Sequence, residues 1–529
     1  MISAKELDFC KAQEQFDRMR AFLEQAASEG QRVDQVERSL FPQAMMLCLE
    51  LLRSFVEAHG DGDQGETVER EGETLERLPE PHDKRYLSIF GELLIGRTVY
   101  GTREGQAIGW SPLDAALGLP AGDNSYVLED WLQRLCVHEA YGESVDSLRA
   151  WLGTTVSVRT AERMNREMSE YVENFRGEAV PPADEEEELM VVTADGKGVP
   201  MRRTLAQRLR EESATREGGT EEEGDEMGTA RGSVSAPEVP PRCSPSIEDG
   251  EDSREDGAER PGKKQMAYVG AIYSQARFPR TGEDVIDEVR RRKRAKDRPE
   301  PQHKHVWAQM TRFAEGEPLP AAPLLFLDMA VECHLRDPTH QKPLICVMDG
   351  EPQLWKLAEE WFPRAIGILD LFHVLERLWA VAHCFHAKES PEAGAFVTHH
   401  LRMLLQGKVR YVLRNFRKLV KTQDLKGVQK KTVMSAITYY ENNREHMRYD
   451  EYLAAGYPIA SGVAEGTCKH LVKDRMERAG MRWELEGAQA MLSLRAVYLN
   501  DLWDHFIAYR IATEQARLYG KHVQHTTAA

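Results

Sequence analysis

Three acidic residues occupy positions from which they could bind metal ions together. Asp195 and Asp349 each follow a short apolar run, and Glu465 stands near the start of a predicted helix. Hard divalent ions such as Mg²⁺ and Mn²⁺ prefer carboxylate oxygens. Two such ions held about 4 Å apart can activate water or a 3′-hydroxyl and stabilise the leaving oxygen of a phosphodiester. The three acids together predict this chemistry, although each alone is also explained as a turn former or as an acid at a helix N-terminus.

A central stretch of the chain alternates predicted strands and helices. An apolar run at 344–348 ends on Asp349, a helical pattern follows, and a second run at 365–369 ends on Asp370. This alternation is typical of a parallel sheet covered on both faces, where polar groups at the strand ends line the functional crevice. Because neighbouring strands lie about 4.8 Å apart, aspartates at adjacent strand ends could share a metal ion, and Glu465 could complete a second site from a crossing helix.

The helix predicted around Glu465 also carries positive charge. At spacings of i, i+4 and i+7 to i+8, Glu465, Lys469 and the pair 472–473 would share one helix face. A site that cuts phosphodiesters needs cations to hold phosphate beside its metals. The residues predicted to contact DNA here are Lys469, Lys473, Arg475, Arg478 and Arg482, with Trp483 contacting phosphates or an unstacked base.

Asp370 and His373 form a further pair. At i and i+3, both side chains point the same way at the start of a predicted helix. They could form an outer pair that steadies a metal ligand or contacts the scissile region. Alternatively, Asp370 caps the helix and His373 packs against it.

A second basic helix is predicted nearer the N-terminus. A helical pattern at 144–152 ends at Gly153, and after a short turn a basic helix carries Arg159, Arg163 and Arg166. This layout is that of a helix-turn-helix, whose second helix enters the major groove of DNA. An ordinary helical hairpin with a solvated basic face gives the same pattern.

The remaining segments fall into helices, a hairpin and linkers. Helices are predicted within residues 1–60, where they would serve packing, dimerisation or DNA contact. A polar linker is predicted at 59–78. Residues 85–101 predict a short β-hairpin. The acidic, Gly- and Ser-rich stretch at 205–262 predicts a disordered insertion. If the strand predicted at 265–273 is the partner of the Asp195 strand, this insertion is a loop within a hairpin. Residues 386–450 predict basic helices.

Charge is distributed unevenly along the chain. The formal net charge is −18, yet the residues from Lys263 onward hold roughly 40 Lys and Arg against 32 Asp and Glu, a net charge of about +8. A basic C-terminal half with acidic linkers is compatible with DNA binding. The eight cysteines include no CxxC pair, and neither a signal peptide nor a membrane span is predicted, so we expect a reduced, cytoplasmic protein without a membrane partner.

Four blocks of the chain carry a resemblance: VVTADGKGVP, VMDGEPQLW, ILDLFHVLERLW and PIASGVAEGTCKHLVKDRMERAGMRW. Together they are similar to transposases of ISKra-four-type bacterial insertion sequences, a DDE group related to the Mutator-like and ISL-three-type enzymes. The resemblance extends to PLDAALGLP and SVRTAERM. It implies a ribonuclease H-like core in which Asp195, Asp349 and Glu465 are the catalytic, metal-binding residues. Asp370 and His373 match the C/DxxH motif of the Mutator-like group.

The resemblance implies a DNA transposase that uses two Mg²⁺ or Mn²⁺ ions. Such an enzyme cuts double-stranded DNA at terminal inverted repeats and joins the freed ends to target DNA. It would act as a homo-oligomer in the bacterial cytoplasm, near the nucleoid. Two alternatives remain open: a domesticated, inactive DNA-binding relative, and a metal-dependent nuclease without strand transfer. The predicted fold is an α/β ribonuclease H-like core with a mixed sheet, interrupted by an acidic loop and a helical insertion and preceded by mainly helical domains. Five domains are predicted. They are an N-terminal helical region with its linker (1–82), a DNA-binding region (83–180), the first part of the core (181–385), a basic insertion (386–455) and the second part of the core (456–529).

Overall fold

The computed structural model describes seven stretches of the 529-residue chain, namely 7–70, 72–80, 82–102, 108–202, 264–291, 297–314 and 317–520. The acidic insertion predicted at 205–262 lies outside the described residues. A five-stranded mixed sheet forms the centre of the fold. Its strands in chain order are β6 (Leu189–Pro200), β7 (Lys264–Gln275), β8 (Gln302–Met310), β11 (Leu344–Met348) and β12 (Ile366–Leu369).

The sheet has the spatial order β12-β11-β6-β7-β8. β6, β7 and β8 are antiparallel neighbours, whereas β11 runs parallel to both β6 and β12. The expectation of a parallel sheet from the 344–369 pattern is therefore confirmed for three strands, and the predicted pairing of the Asp195 strand with 265–273 is also confirmed. The antiparallel edge, including β8, makes the sheet mixed.

Asp195 was expected at a strand end, and this is wrong. β6 continues through Asp195 to Pro200, because its ladder with β7 persists past that point and pairs Asp195 with Val269. The parallel ladder between β6 and β11 is shorter, and its last pair is Val192 with Cys346. Asp195 therefore lies within an antiparallel ribbon that extends beyond its parallel neighbour.

Helices cover both faces of the sheet and enclose two cores. One core lies beneath α9 (Ala321–Arg336), α17 (Leu485–Leu499), α18 (Trp503–Tyr519) and the helices that precede β6. Those preceding helices are α4 (Tyr126–Cys136), α5 (Tyr141–Leu152), α6 (Val158–Ser169) and α7 (Val172–Glu178). The other core lies beneath α11 (Leu371–Ala382), α12 (Pro391–Leu405), α13 (Val409–Thr422), α14 (Gly427–Asn442) and α15 (Tyr449–Ala454). The helical interpretation of 386–450 is confirmed. The other long helices are α8 (Gly282–Arg291) and α10 (Pro352–Trp361), and a small hairpin joins β9 (Arg312–Ala314) to β10 (Glu317–Leu319).

The N-terminal region consists of a helical hairpin and small sheets. Its helices are α1 (Cys10–Ser28) and α2 (Val33–Glu57), followed by β1 (Thr67–Arg70), β2 (Glu73–Arg77), β3 (His82–Ser88), β4 (Gly91–Arg97), β5 (Tyr100–Gly101) and α3 (Pro112–Leu117). The β3–β4 pair confirms the predicted hairpin. The polar linker expected at 59–78 is wrong, because β1 and β2 pair there around a single buried side chain, Leu75.

α2 is unusually apolar for a helix at the surface. By length and composition it could cross a membrane, yet only 11% of its most apolar window is buried within the described part of the protein. One such helix is weak evidence for a membrane span. Seven large apolar side chains of the α1–α2 hairpin are 40–52% exposed, namely Phe9, Phe16, Leu23, Phe41, Met46, Leu51 and Phe55.

Candidate functional site

Three aspartates fall on one row across the three parallel strands β12, β11 and β6. The last β6–β11 pair is Val192 with Cys346, and three residues further along both strands Asp195 lies level with Asp349. The last β11–β12 pair is Met348 with Leu369, and one residue further along Asp349 lies level with Asp370. The Asp370 amide donates to the Met348 carbonyl at 2.8 Å, so the parallel pairing persists to this row. Neighbouring strands lie about 4.8 Å apart, so the three aspartate side chains are attached to backbones at about that spacing.

Backbone and thiol donors orient the first two carboxylates. Asp195 Oδ1 accepts from the Gly196 amide at 2.6 Å, and its Oδ2 accepts from Cys468 Sγ at 3.3 Å. Asp349 Oδ1 accepts from the Glu351 amide at 3.0 Å. Asp349 Oδ2 accepts no hydrogen bond from the described residues. This oxygen is available to a ligand.

The charge of a second carboxylate acts on Asp349. Burial raises the pKa of Asp349, and the charge of Asp195 raises it further, against the opposing effects of the Glu351 amide and His373. Two carboxylates that repel each other in a half-buried site form a locus that a bound cation would stabilise.

Asp370 is buried and fully engaged. Its Oδ1 accepts from the Phe372 amide at 2.8 Å, which makes it the N-cap of α11, and its Oδ2 accepts from the Ser461 hydroxyl. The capping role considered for Asp370 is therefore confirmed. Its carboxylate also ties the start of α11 to the loop before Glu465.

His373 places a positive charge beside this row. Its Nδ1 lies 3.7 Å from Asp370 Oδ2, too far for a hydrogen bond but close enough for an ion pair. The interaction with Asp370 raises the pKa of His373 to about 9, although burial alone would lower it. His373 is thus an imidazolium at neutral pH, and its charge is directed at both Asp370 and Asp349.

Glu465 is held on a short helix near the first aspartate. It lies on α16 (Gly462–Thr467), which packs against β6 and β7 through buried Ala464 and Thr467. The Glu465 side chain itself is exposed. Within the described ranges, no three His, Cys, Asp or Glu side chains are grouped closely enough to hold a metal ion. Asp195, Asp349 and the Asp370–His373 pair are therefore neighbours along the sheet without forming a closed ligand set, and the exposed Glu465 does not complete one.

The predicted single helix face for Glu465, Lys469 and 472–473 is wrong. The chain changes from an α-helix to a π-helix over Cys468–Lys473. A π-helix makes i→i+5 bonds in place of i→i+4, so the angular spacing of its side chains differs from the one assumed. Cys468, not Lys469, faces Asp195, and both Lys469 and Lys473 are exposed.

Arg475 and Trp483 have structural positions that disagree with their predicted contact to DNA. Arg475 is fully buried, and its Nε donates to the Cys136 carbonyl at 2.7 Å while its guanidinium lies over the rings of Tyr141 and Trp483. Trp483 is 5% exposed, and its indole donates to the Met476 carbonyl at 3.0 Å. Both residues join the helices before β6 to the core, because a large cation and an aromatic ring pack well on one another.

The remaining cations predicted to bind DNA lie at the surface of this junction. Arg478 pairs with Glu143 at 3.1 Å and donates to the His138 carbonyl. Arg482 and the edge of Trp483 line a cavity of about 210 Å³. Arg159 and Arg163 are exposed on α6, which begins after Gly153 in the left-handed conformation and the N-cap Ser157. Two helices joined by a short turn are therefore present at 141–169, as both the helix-turn-helix and the ordinary helical hairpin predict.

Two residues that approach the row had not been singled out. Cys468 binds Asp195, and Tyr439 of α14 lies against Gly350, beside Asp349. Cys468 lies three residues after Glu465, with no pattern to distinguish it. Tyr439 reaches the site only because α14 folds back against α11, where Tyr440 Oη donates to the Val374 carbonyl at 2.8 Å.

We expect Gly350→Ala to destabilise the protein around Asp349. A Cβ at residue 350 would lie 2.3 Å from Tyr439 Cε2 and 2.8 Å from Asn443 Nδ2, so α14 or the Asp349 loop must move. Overpacking of this kind costs about 1–3 kcal/mol, measurable as a lower midpoint of thermal unfolding. Gly394→Ala, where a Cβ meets no atom within 4 Å, is the control. A Gly350→Ala protein as stable as this control would contradict the packing.

The donor set suits a hard divalent cation in part. Two carboxylates that repel each other and an uncommitted Oδ2 of Asp349 are appropriate ligands for Mg²⁺ or Mn²⁺, while the third carboxylate would have to come from Glu465. A comparison with protein-family models finds no match, and a comparison with curated proteins finds no significant match.

Proposed function

We propose that the protein is a DNA transposase of the DDE type, with a ribonuclease H-like core. The observation that carries the proposal is the row of Asp195, Asp349 and Asp370, reached through three adjacent strands of a mixed sheet, with a cationic His373 beside it. The helix carrying Glu465 packs on the strand of Asp195. This arrangement supports carboxylate-assisted phosphodiester chemistry at one end of the sheet.

Each group has a distinct task in this proposal. Asp195 and Asp349 would hold the divalent ions, whose contribution would be to activate water or a 3′-hydroxyl and to stabilise the leaving oxygen. Glu465 turns inward from α16 to complete the site. Asp370 holds Ser461, and thereby the start of the Glu465 segment, against β11. The His373 imidazolium attracts a scissile phosphate.

The helical layers before β6 are proposed to read the terminal inverted repeats of the element. α6 exposes Arg159 and Arg163 on the face opposite its buried residues Ala161, Met164 and Met168. A second helix with an exposed basic face is what major-groove reading requires. The bond from Arg475 to the Cys136 carbonyl joins this unit to the segment that follows Glu465.

The test is an assay of the purified protein with labelled DNA bearing the inverted repeats that flank the coding region. Metal-dependent cleavage at the repeat ends, with joined products in the presence of target DNA, is expected. Tight end binding without cleavage at any Mg²⁺ or Mn²⁺ concentration would support the domesticated relative. Cleavage without preference for the ends would support the nuclease.

The proposed oligomer is supported by the α1–α2 hairpin. Phe9, Phe16 and Leu23 recur at seven-residue spacing, as in a coiled-coil seam. The seven half-exposed apolar side chains of the hairpin present roughly 500–900 Å², close to the ~800 Å² per partner of a standard interface. Cations of the hairpin are paired with its own acids, for example Arg20 with Asp17 and Arg53 with Glu50. Such a surface suits a second copy of the hairpin better than DNA.

We expect Phe16→Glu with Phe55→Glu to dissociate this oligomer, because each carboxylate would have to be buried in an apolar interface. Analytical ultracentrifugation of the full chain should show a lower mass or a dissociation constant raised by about tenfold or more, equivalent to at least ~1.4 kcal/mol. Val428→Glu, at an 81% exposed position on α14, is the control and should leave the mass unchanged. An unchanged mass for the double variant would exclude the hairpin as the interface.

A further inference from the structure

A strongly basic surface lies on α13 and the start of α14. Between residues 408 and 431 there are nine Lys and Arg and a single acid, Asp424, in a protein whose overall net charge is −18. All nine cations are exposed. We call this surface the basic strip: Lys408, Arg410, Arg414, Arg417, Lys418, Lys421, Lys426, Lys430 and Lys431.

Most of the strip lacks acidic partners. Arg417 pairs with Glu441, and Lys426 pairs with Asp424. The other seven cations make no ion pair with any described residue. A surface helix normally balances its charges, so an excess of this kind indicates that a polyanion supplies the missing negative charge.

The geometry of α13 sets the cations in a line. Arg410, Arg414, Arg417 and Lys421 recur at i, i+4, i+7 and i+11, which is one stripe along a helix. The stripe is about 16 Å long at 1.5 Å per residue. The opposite face is fully used, because Val409, Val412, Leu413 and Phe416 are buried in the core. No apolar face of α13 remains to enter a lipid surface, which a membrane-binding helix would need.

The strip leads to the row of aspartates. Lys430 and Lys431 lie on α14, whose other end carries Tyr439 against Gly350. Eight residues of helix separate Lys431 from Tyr439, a distance of about 12 Å. A polyanion on the strip would therefore extend toward Asp349 along α14.

We propose that the basic strip binds the phosphate backbone of double-stranded DNA, without sequence preference, on one side of the carboxylate site. Duplex DNA carries one charge per about 1.7 Å of its axis, so a straight stripe of cations meets several phosphates at once. The identity of the partner rests on the proposed function. The strip is separate from the helix–turn–helix and would hold target or flanking DNA that has no fixed sequence.

The test compares two full-length variants of equal charge. The strip variant is R410Q/R414Q/K418Q/K421Q. The control is K11Q/R18Q/R20Q/R32Q, in which each replaced cation already has an acidic partner on the α1–α2 hairpin. Binding to a 30-base-pair duplex of random sequence is measured by fluorescence anisotropy in EDTA across a salt series, so that no cleavage contributes. Thermal unfolding of each variant verifies the fold.

The strip variant is expected to bind the duplex at least tenfold more weakly at about 0.1 M salt, and its plot of log K against log salt should be shallower by about 3 to 4. The control should match the unmodified protein. Equal weakening of both variants, or no weakening of either, overturns the proposal. Selective loss of binding to single-stranded RNA or to phosphatidylserine vesicles, with duplex binding intact, overturns it as well. The strip variant could lose duplex binding while the unmodified protein never cuts repeat ends. That outcome would support DNA binding by the basic strip and contradict the proposed transposase function.

Discussion

Asp349→Asn is expected to abolish metal-dependent cleavage while leaving DNA binding intact. The amide keeps the size of the side chain but removes the charge that would hold a divalent ion beside Asp195 in the proposed site. Losing a metal ligand removes several kcal/mol of transition-state stabilisation, which corresponds to about a thousandfold or more in rate. The measurement is single-turnover cleavage of repeat-end DNA in Mg²⁺ and Mn²⁺, with binding followed in parallel.

A thermal readout separates this loss from misfolding. Because burial and Asp195 raise the pKa of Asp349, its carboxylate at neutral pH opposes folding in the absence of a cation. The asparagine variant should therefore unfold at the same or a higher temperature than the unmodified protein in EDTA. Added Mn²⁺ should stabilise only the unmodified protein. Glu360→Gln, on the exposed face of α10, is the matched control. Full cleavage by Asp349→Asn would remove Asp349 from the site.

Arg336→Ala is expected to cause the largest loss of stability. Arg336 is fully buried in α9 and binds Glu186 through Nε at 2.6 Å and Nη2 at 3.0 Å. It also donates to the His303 carbonyl at 2.9 Å and lies 3.3 Å from Glu332. One guanidinium thus joins the chain before β6 to α9 and to β8. Its removal leaves the buried Glu186 carboxylate without its ion-pair partner, which costs about 3–5 kcal/mol. Glu332 keeps its hydrogen bonds from His305 and Trp307.

The matched control is Arg402→Ala. Arg402 makes an equally short fork with Glu283, at 2.6 and 3.0 Å, but the pair is at the surface, where such pairs contribute about 0–1 kcal/mol. Urea unfolding followed by circular dichroism should show a clear loss of stability for Arg336→Ala and little change for Arg402→Ala. Arg336→Lys, which keeps the charge but not the fork, should be intermediate. Similar midpoints for the alanine variants would show that burial adds nothing to the pair.

Much of the sheet could be predicted because its buried strands carry unmixed apolar runs. β11, β12 and the β6–β7 pair were recognisable from such runs, and their ends are near those expected except at β6, which continues to Pro200. β1 and β2 were not, because strands that bury only Leu75 have the composition of a linker. β8 was not predicted either, because its first residues, 302–305, are polar and obscure the apolar pattern of its second half.

The candidate site was predictable in its residue types and less so in its geometry. Strand ends suggested that the aspartates meet, but the row depends on registers between segments far apart in sequence, which no local pattern encodes. Asp195 was displaced from its expected strand end by the long ladder with β7. Arg475 and Trp483 resemble surface contacts in sequence and become core only when the helices before β6 pack on them.

The π-helix over Cys468–Lys473 has a consequence for how the Glu465 segment can vary. A π-turn accommodates one residue more than an α-helical turn over the same stretch. Removing one residue there would let an unbroken α-helix form, and would rotate Glu465 by about 100° relative to the chain that follows. The direction of Glu465 is thus set by the number of residues in this turn. A deletion there would disable the site while every functional side chain remained present.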